Sequence, residues 1–333
     1  MGRRAEILDL LSGKKISNQP AFSGLIHVTA EGLEKEGLVF HEVHRDAHKL
    51  AKAAASTFQL SGLPSAVAPL DLYVEAEALG ARVDFRENRD FTFPQVADPL
   101  FSSTKSLNKE YFASENFIEK GRIALVCDAI RQLKAEAGRE AVVGGLIPGP
   151  YTLLLFLVEP GGLFTEMKRE PQSVTDALAQ LASFLAQVGS AYRKAGADFI
   201  TIHDMGGSPG FIGPGRYEQF VHPAEKLLIA ELPAPRVLSV CGNTNRSMHL
   251  LAQTGAEAIS VDQLNDLGES RKALTDTLLF GNIDPVTALW QGKESEITQA
   301  VRAAKEAGVD AVWPGCDLVP QTPVENLRAF SRA

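Results

Sequence analysis

Short apolar runs recur along the chain at 21–27, 66–70, 141–147, 199–203, 236–241, 256–261, 278–281 and 311–313, bounded by turn residues or polar clusters. Runs of that length predict buried strands. Between the later ones the apolar spacing becomes helical: 173–194 is rich in Ala and Leu, 245–253 closes at Gly255, and 293–306 closes at Gly308. The first half is less regular. There 75–92 reads as a helix with a short strand-like run, and 98–116 as a loop-rich insertion leading to a helix over 119–138. Strands alternating with helices signal parallel βαβ construction, and eight of them predict a (β/α)8 TIM barrel, here with an N-terminal helical extension.

Polar residues follow the strand runs with a consistent bias. His203 and Asp204 follow the fourth run, Cys241 and Asn243 the fifth, Asp262 and Gln263 the sixth, Asn282 and Asp284 the seventh, Cys316 and Asp317 the eighth. On a barrel all of these fall at the C-terminal rim, where barrel enzymes carry their chemistry. Two thiolates at one rim suggest a zinc site that binds or activates a sulfur compound, because thiolate is a soft ligand and a good nucleophile. The competing expectation is that each cysteine is a small buried hydrophobe.

Length and charge narrow the class. At 333 residues with 45% hydrophobic content, the chain suits a single barrel domain over 1–333. Asp plus Glu number 41 against 33 Lys plus Arg, a net charge of -8, which argues against nucleic acid as a partner. Three widely spaced cysteines form no disulfide framework and suit a reducing cytoplasm. The first residues do not read as a signal peptide, and the most apolar stretch, 144–158, is interrupted by Pro148 and Pro150, so no membrane association is expected.

Several ordered motifs carry a resemblance: Pro69-Leu70-Asp71-Leu72-Tyr73, Pro148-Gly149-Pro150-Tyr151-Thr152, Cys241-Gly242-Asn243-Thr244, Ser260-Val261-Asp262-Gln263, Gly281-Asn282-Ile283-Asp284-Pro285 and Pro314-Gly315-Cys316. Over nearly its whole length the chain resembles the uroporphyrinogen decarboxylase superfamily, and within it the methylcobamide:coenzyme M methyltransferases. The arginine-rich segment of the decarboxylases is replaced here by Ala21-Phe22-Ser23-Gly24-Leu25-Ile26-His27, so porphyrinogen decarboxylation is the least favoured activity.

The methyltransferase resemblance implies zinc held by a His-x-Cys pair and a distant Cys, with a thiol substrate bound as thiolate. Cys241 and Cys316 match the cysteines, whereas Ser239 stands at the histidine position. His203 is the leading replacement ligand; His27, Asp204 and Asp317 are weaker candidates. The resemblance also implies methylcobamide (cobalamin) as methyl donor, offered by a separate corrinoid carrier protein, and a small-molecule methyl acceptor such as coenzyme M. Gly206, Gly207 and Tyr151 are expected against the corrinoid, with the glycine-rich 206–215 stretch as a flexible cover. Asp262, Asn282 and Asp284 are expected to orient loops and substrate at the catalytic centre, and Asp71, Glu75 and Glu77 to add acidic support behind the metal or to be solvated. A homodimer is compatible with this picture. Two other readings stay open: methyl transfer to a non-thiol acceptor such as tetrahydrofolate, and a non-catalytic corrinoid- or tetrapyrrole-binding role.

Overall fold

In the computed structural model, which describes residues 2–333, seven strands form one parallel sheet in chain order. They are β1 (Ser65–Ala68), β2 (Val142–Pro148), β3 (Phe199–His203), β4 (Arg236–Val240), β5 (Ala258–Val261), β6 (Leu278–Ile283) and β7 (Ala311–Pro314). The sheet curls into the expected barrel with helices outside. Residues 21–27 hold the eighth place but form no strand. Ala21 bridges Val312, the Phe22 amide donates to the Val312 carbonyl at 3.2 Å, and the ladder stops there. Beyond it, side chains tie the segment to β1. The Ser23 amide donates to Ser65 Oγ at 2.9 Å, and His27 Nε2 lies 3.0 Å from the Ser65 carbonyl oxygen. Gly24 is required by close approach, since a Cβ there would stand 2.4 Å from both Thr201 Oγ1 and Trp313.

Two-residue alternation divides each strand between two environments. Phe199, Val237, Ala258, Phe280, Ala311 and Trp313 join Phe22 inside the barrel, and Ile7, Leu10 and Leu11 of the helix Arg3–Leu11 close its N-terminal end over them. Phe22 packs edge-on against Trp313 at 5.2 Å between ring centroids. Ile200, Ile202, Leu238, Val240, Ile259 and Val261 face outward under the helices. The same alternation turns Thr201, His203, Ser239 and Ser260 inward, so the interior grades from aromatic at the base to polar at the rim.

The helical expectations hold with shifted ends: Pro171–Ala195 and Glu294–Glu306 are continuous helices, while 245–253 is a 3-10 turn (Asn245–Ser247) followed by Met248–Ala252. The 75–92 stretch is the short helix Val74–Ala78 and a strand, Val83–Asp84, paired antiparallel with Gln95–Val96. Among the described residues no helix is long and apolar enough to cross a membrane.

The acidic residues after β1 are engaged away from the rim cysteines. Asp71 is buried and accepts from Arg122 at 2.7 and 3.1 Å, with His44 Nδ1 at 2.9 Å; Glu77 accepts from Arg122 Nε at 2.6 Å. Burial opposes the Asp71 charge, but Arg122 and His44 more than offset it and hold the carboxyl well below its usual range. Glu75 shares no face with Asp71, which precedes the helix. Its one protein partner is the Tyr192 hydroxyl at 3.3 Å, and burial pushes its pKa up to about 8. The folded state therefore keeps a proton that the unfolded chain sheds above its ordinary value of 4.5. Stability should fall as pH rises through that window and level off above about 8. Glu75→Gln is expected to gain on wild type by a few kcal/mol between pH 5 and 8, measured by urea unfolding at both values. A constant difference would mean that Glu75 ionises in the fold.

Candidate metal centre

Three strands deliver three ligand-type side chains to one point on the rim. His203 is the last residue of β3, Cys241 follows β4 directly, and Cys316 follows β7 by two residues. Cys241 Sγ lies 3.1 Å from Cys316 Sγ and 4.0 Å from His203 Nε2, and all three ligand atoms fall within 4.8 Å of one another. Among the described residues this is the one His, Cys, Asp or Glu group so arranged. Both cysteines are free thiols.

The cluster is electrostatically tense. The hydrogen bond from Cys241 favours thiolate at Cys316, with help from His203, against the cost of burial. The same bond, burial and the nearby Asp317 and Asp262 push Cys241 up. Burial would lower His203, yet Asp317, with an oxygen 3.6 Å from Nε2, and Cys316 outweigh it and raise the imidazole to about 10. One sulfur shifted toward thiolate, beside a second thiol and an imidazole that hold their protons, is a donor set suited to a divalent cation, which would displace those protons.

Register places His203 next to position 239. His203 on β3 is the direct partner of Ser239 on β4, and both point inward. An imidazole rooted at 203 thus starts from the adjacent place in the same row, and Ser239, 1% exposed, leaves room for it.

The remaining candidates sort by their partners. Both ring nitrogens of His27 meet backbone carbonyls, at 2.6 and 3.0 Å, which removes it as a ligand. Asp204 turns away from the cysteines. Its Oδ1 accepts from Thr152 Oγ1 at 2.6 Å and from the Gly207 amide at 2.9 Å. Asp317 Oδ1 accepts from the Ile26 amide at 2.8 Å and its other oxygen lies 3.6 Å from His203 Nε2, outside the three-atom group. Asp262 accepts from the Leu264 amide, Asn282 Nδ2 donates to the Asn265 carbonyl at 3.0 Å, and Asp284 caps the turn at Val286 and Thr287. All three orient rim loops, and Asp284 is fully engaged in doing so. Tyr151 is completely buried, with its hydroxyl on Met167 Sδ at 3.4 Å.

Within the glycine-rich stretch, Gly206 and Gly207 are closely packed, while Gly213 and Gly215 have open space around them. The Gly206 amide donates to Thr152 Oγ1 at 2.8 Å, and a Cβ on Gly207 would stand 2.7 Å from Asp204 Oδ1. These two glycines serve close packing at a pinned turn. Two features escaped the sequence reading. Gln263 Oε1 is buried without a protein partner beside the backbone of Gly315, next to Cys316. Exposed apolar side chains also gather on the rim loops: Met205 and Phe211 after β3, Leu264 after β5, Val286 and Trp290 after β6. Loop residues have no periodicity that would reveal such a patch.

Comparison with known proteins places these observations in a lineage. The uroporphyrinogen decarboxylase (URO-D) family model matches residues 3–333. The chain is 30% identical over 328 residues to methylcobamide:CoM methyltransferase MtbA of Methanosarcina acetivorans, covering 96% of this chain and 93% of that protein. It is 28% identical over 333 residues to methylcobamide:CoM methyltransferase MtaA of Methanosarcina barkeri, covering 99% and 96%. A solved methyltransferase from Methanosarcina mazei superposes with a TM-score of 0.92 at 25% identity, covering 99% and 97%.

Proposed function

The chain belongs to the uroporphyrinogen decarboxylase (URO-D) family, and from that premise we propose that its rim cluster holds zinc and that it moves a methyl group from a methyl-cobalt corrinoid to a small thiol of the coenzyme M type. The observation that carries the reading is the convergence of His203 Nε2, Cys241 Sγ and Cys316 Sγ within 4.8 Å at the barrel's C-terminal rim. Three ligands with an open fourth position are the pattern of a catalytic zinc site. Bound there, zinc would supply a Lewis acid that keeps a substrate thiol as thiolate near neutral pH.

The chain's own residues supply position. Cys241 and Cys316 present two sulfurs from strands on opposite sides of β5 and β6, and His203 completes the set. Asp262 and Asn282 both brace the loop after β5 beside them. The methyl group passes as a cation to the thiolate sulfur, forming the S–C bond, and the electron pair of the broken Co–C bond stays on cobalt. The relatives are named for CoM as acceptor, which supports a thiol here.

A corrinoid delivered by a separate carrier protein fits the apolar rim. Phe211 is 67% exposed after β3 and Leu264 62% after β5, which supports a docking surface on this rim. Incubation of the zinc-loaded protein with methylcobalamin and 2-mercaptoethanesulfonate should yield cob(I)alamin and methylated thiol; no thiol-dependent loss of methylcobalamin would refute the activity. Phe211→Ser with Leu264→Ser should raise KM for a methylated carrier protein by about tenfold or more, while turnover of free methylcobalamin stays within a factor of about two. Equal losses with both donors would argue against a carrier-docking role.

A further inference from the structure

Among the described residues, four inward-facing polar atoms of the barrel have no partner: His203 Nδ1, Thr201 Oγ1, Ser260 Oγ and Trp313 Nε1. Their residues are fully enclosed, at most 1% exposed. Alternation from Phe199, Ala258 and Ala311, all members of the inner cluster, turns each of the four side chains toward the axis. Register sets His203 beside Ser239 and Ser239 beside Ser260. Thr201 Oγ1 and the benzo edge of Trp313 both pack against Gly24, where an added methyl would stand 2.4 Å from each. The four therefore lie in the inward-facing rows of the sheet, between the aromatic base and the rim.

Native interiors leave few polar atoms unmet, and several in these rows point to an occupant. Hydrogen-bonding character identifies it. Trp313 Nε1 only donates, and His203 Nδ1 carries the ring proton when Nε2 faces the sulfurs with its lone pair. Thr201 and Ser260 hydroxyls both donate and accept. Two N–H donors and two hydroxyls, unpaired in the interior, are groups that water can satisfy, since it both accepts and donates. The metal-binding imidazoles of proteins are held at their second nitrogen, and no protein group reaches this one.

We propose that ordered water fills the interior between the aromatic base and the rim, accepts the His203 Nδ1–H bond, and is held by Thr201, Ser260 and Trp313, making these three positioning residues for the metal centre. The positioning part rests on the proposed role of His203 as a ligand; the water does not.

Thr201→Val and Ser260→Ala remove one hydroxyl each with little change of shape. Two measurements separate the alternatives: thermal unfolding of the metal-free protein, and cobalt(II) affinity by competition with a chelator, followed through the cobalt–thiolate absorption. The expected result is a lower Tm for both variants, a cobalt affinity weakened roughly 10–100-fold with a shifted absorption band, and recovery in Thr201→Ser. A higher Tm in both variants would show the hydroxyls to be dry and would overturn the proposal. A lower Tm with unchanged cobalt affinity and spectrum would overturn the positioning role. If wild type takes up no cobalt while both variants lose Tm, the ligand role of His203 fails and the water stands, so the two failures are distinguishable.

Discussion

Replacing His203 by alanine should strip the metal from the protein, and adding Ser239→His to that variant should bring it back. The first effect follows from ligand count. Two sulfurs alone leave the cation with half a tetrahedral shell, and the loss should exceed the roughly 10–100-fold that supporting residues contribute to metal affinity. The second follows from register. Positions 203 and 239 are direct partners on neighbouring parallel strands and both point inward, so an imidazole can approach Cys241 and Cys316 from either. Zinc content and cobalt(II) absorption of wild type, His203→Ala, and the double variant check the pair. Recovery of metal with a thiolate-to-cobalt band in the double variant would establish that the chain carries its histidine one strand over. Full metal retention in His203→Ala would exclude that role.

The second large effect lies outside the site. Arg122→Met should destabilise the fold by about 3–5 kcal/mol, because it strands the Asp71 carboxylate in a place where the side chain is shut off from solvent. Arg122 also loses its bond to Glu77 and its position 5.0 Å over the Phe85 ring. Asp71→Asn in the same background should recover part of the loss, since the amide needs no counter-charge. Urea unfolding of the two variants tests this, and a cost below about 1 kcal/mol for Arg122→Met would place the pair among exposed ion pairs. The sign with pH follows from the depressed Asp71 pKa: the contribution is present above the ordinary carboxyl range and lost only in acid. Metal content should not change in Arg122→Met, since neither residue belongs to the rim group.

These two cases mark what can be read from residue order and what cannot. The cysteines and His203 end strands whose apolar runs are plain in the sequence, and a closed parallel barrel gathers strand ends at one rim whatever the intervening helices do. Convergence of Cys241, Cys316 and His203 therefore needed only the topology. Asp71, Glu75 and Glu77 look like an acidic group at helical spacing, but Asp71 and Glu77 meet Arg122, 51 and 45 residues later, and Glu75 meets Tyr192, 117 later. No local pattern announces such partners. Residues 21–27 carry strand-like composition, yet the Ser23 hydroxyl accepts from the Leu25 amide at 3.0 Å and competes with a ladder. Gly206 and Gly207 are expected against the corrinoid; their close neighbours, Leu155 and Thr152 for Gly206 and Asp204 for Gly207, come from packing that no local pattern announces.

The central claim is that Cys241, Cys316 and His203 hold one metal ion. Its most direct test is the zinc content of protein purified without chelator, alongside Cys241→Ala and Cys316→Ala. About one zinc per chain in wild type, lost in both variants, is the expected result. Wild type that carries no zinc and takes none up on addition would contradict the claim and, with it, the thiol-activating mechanism.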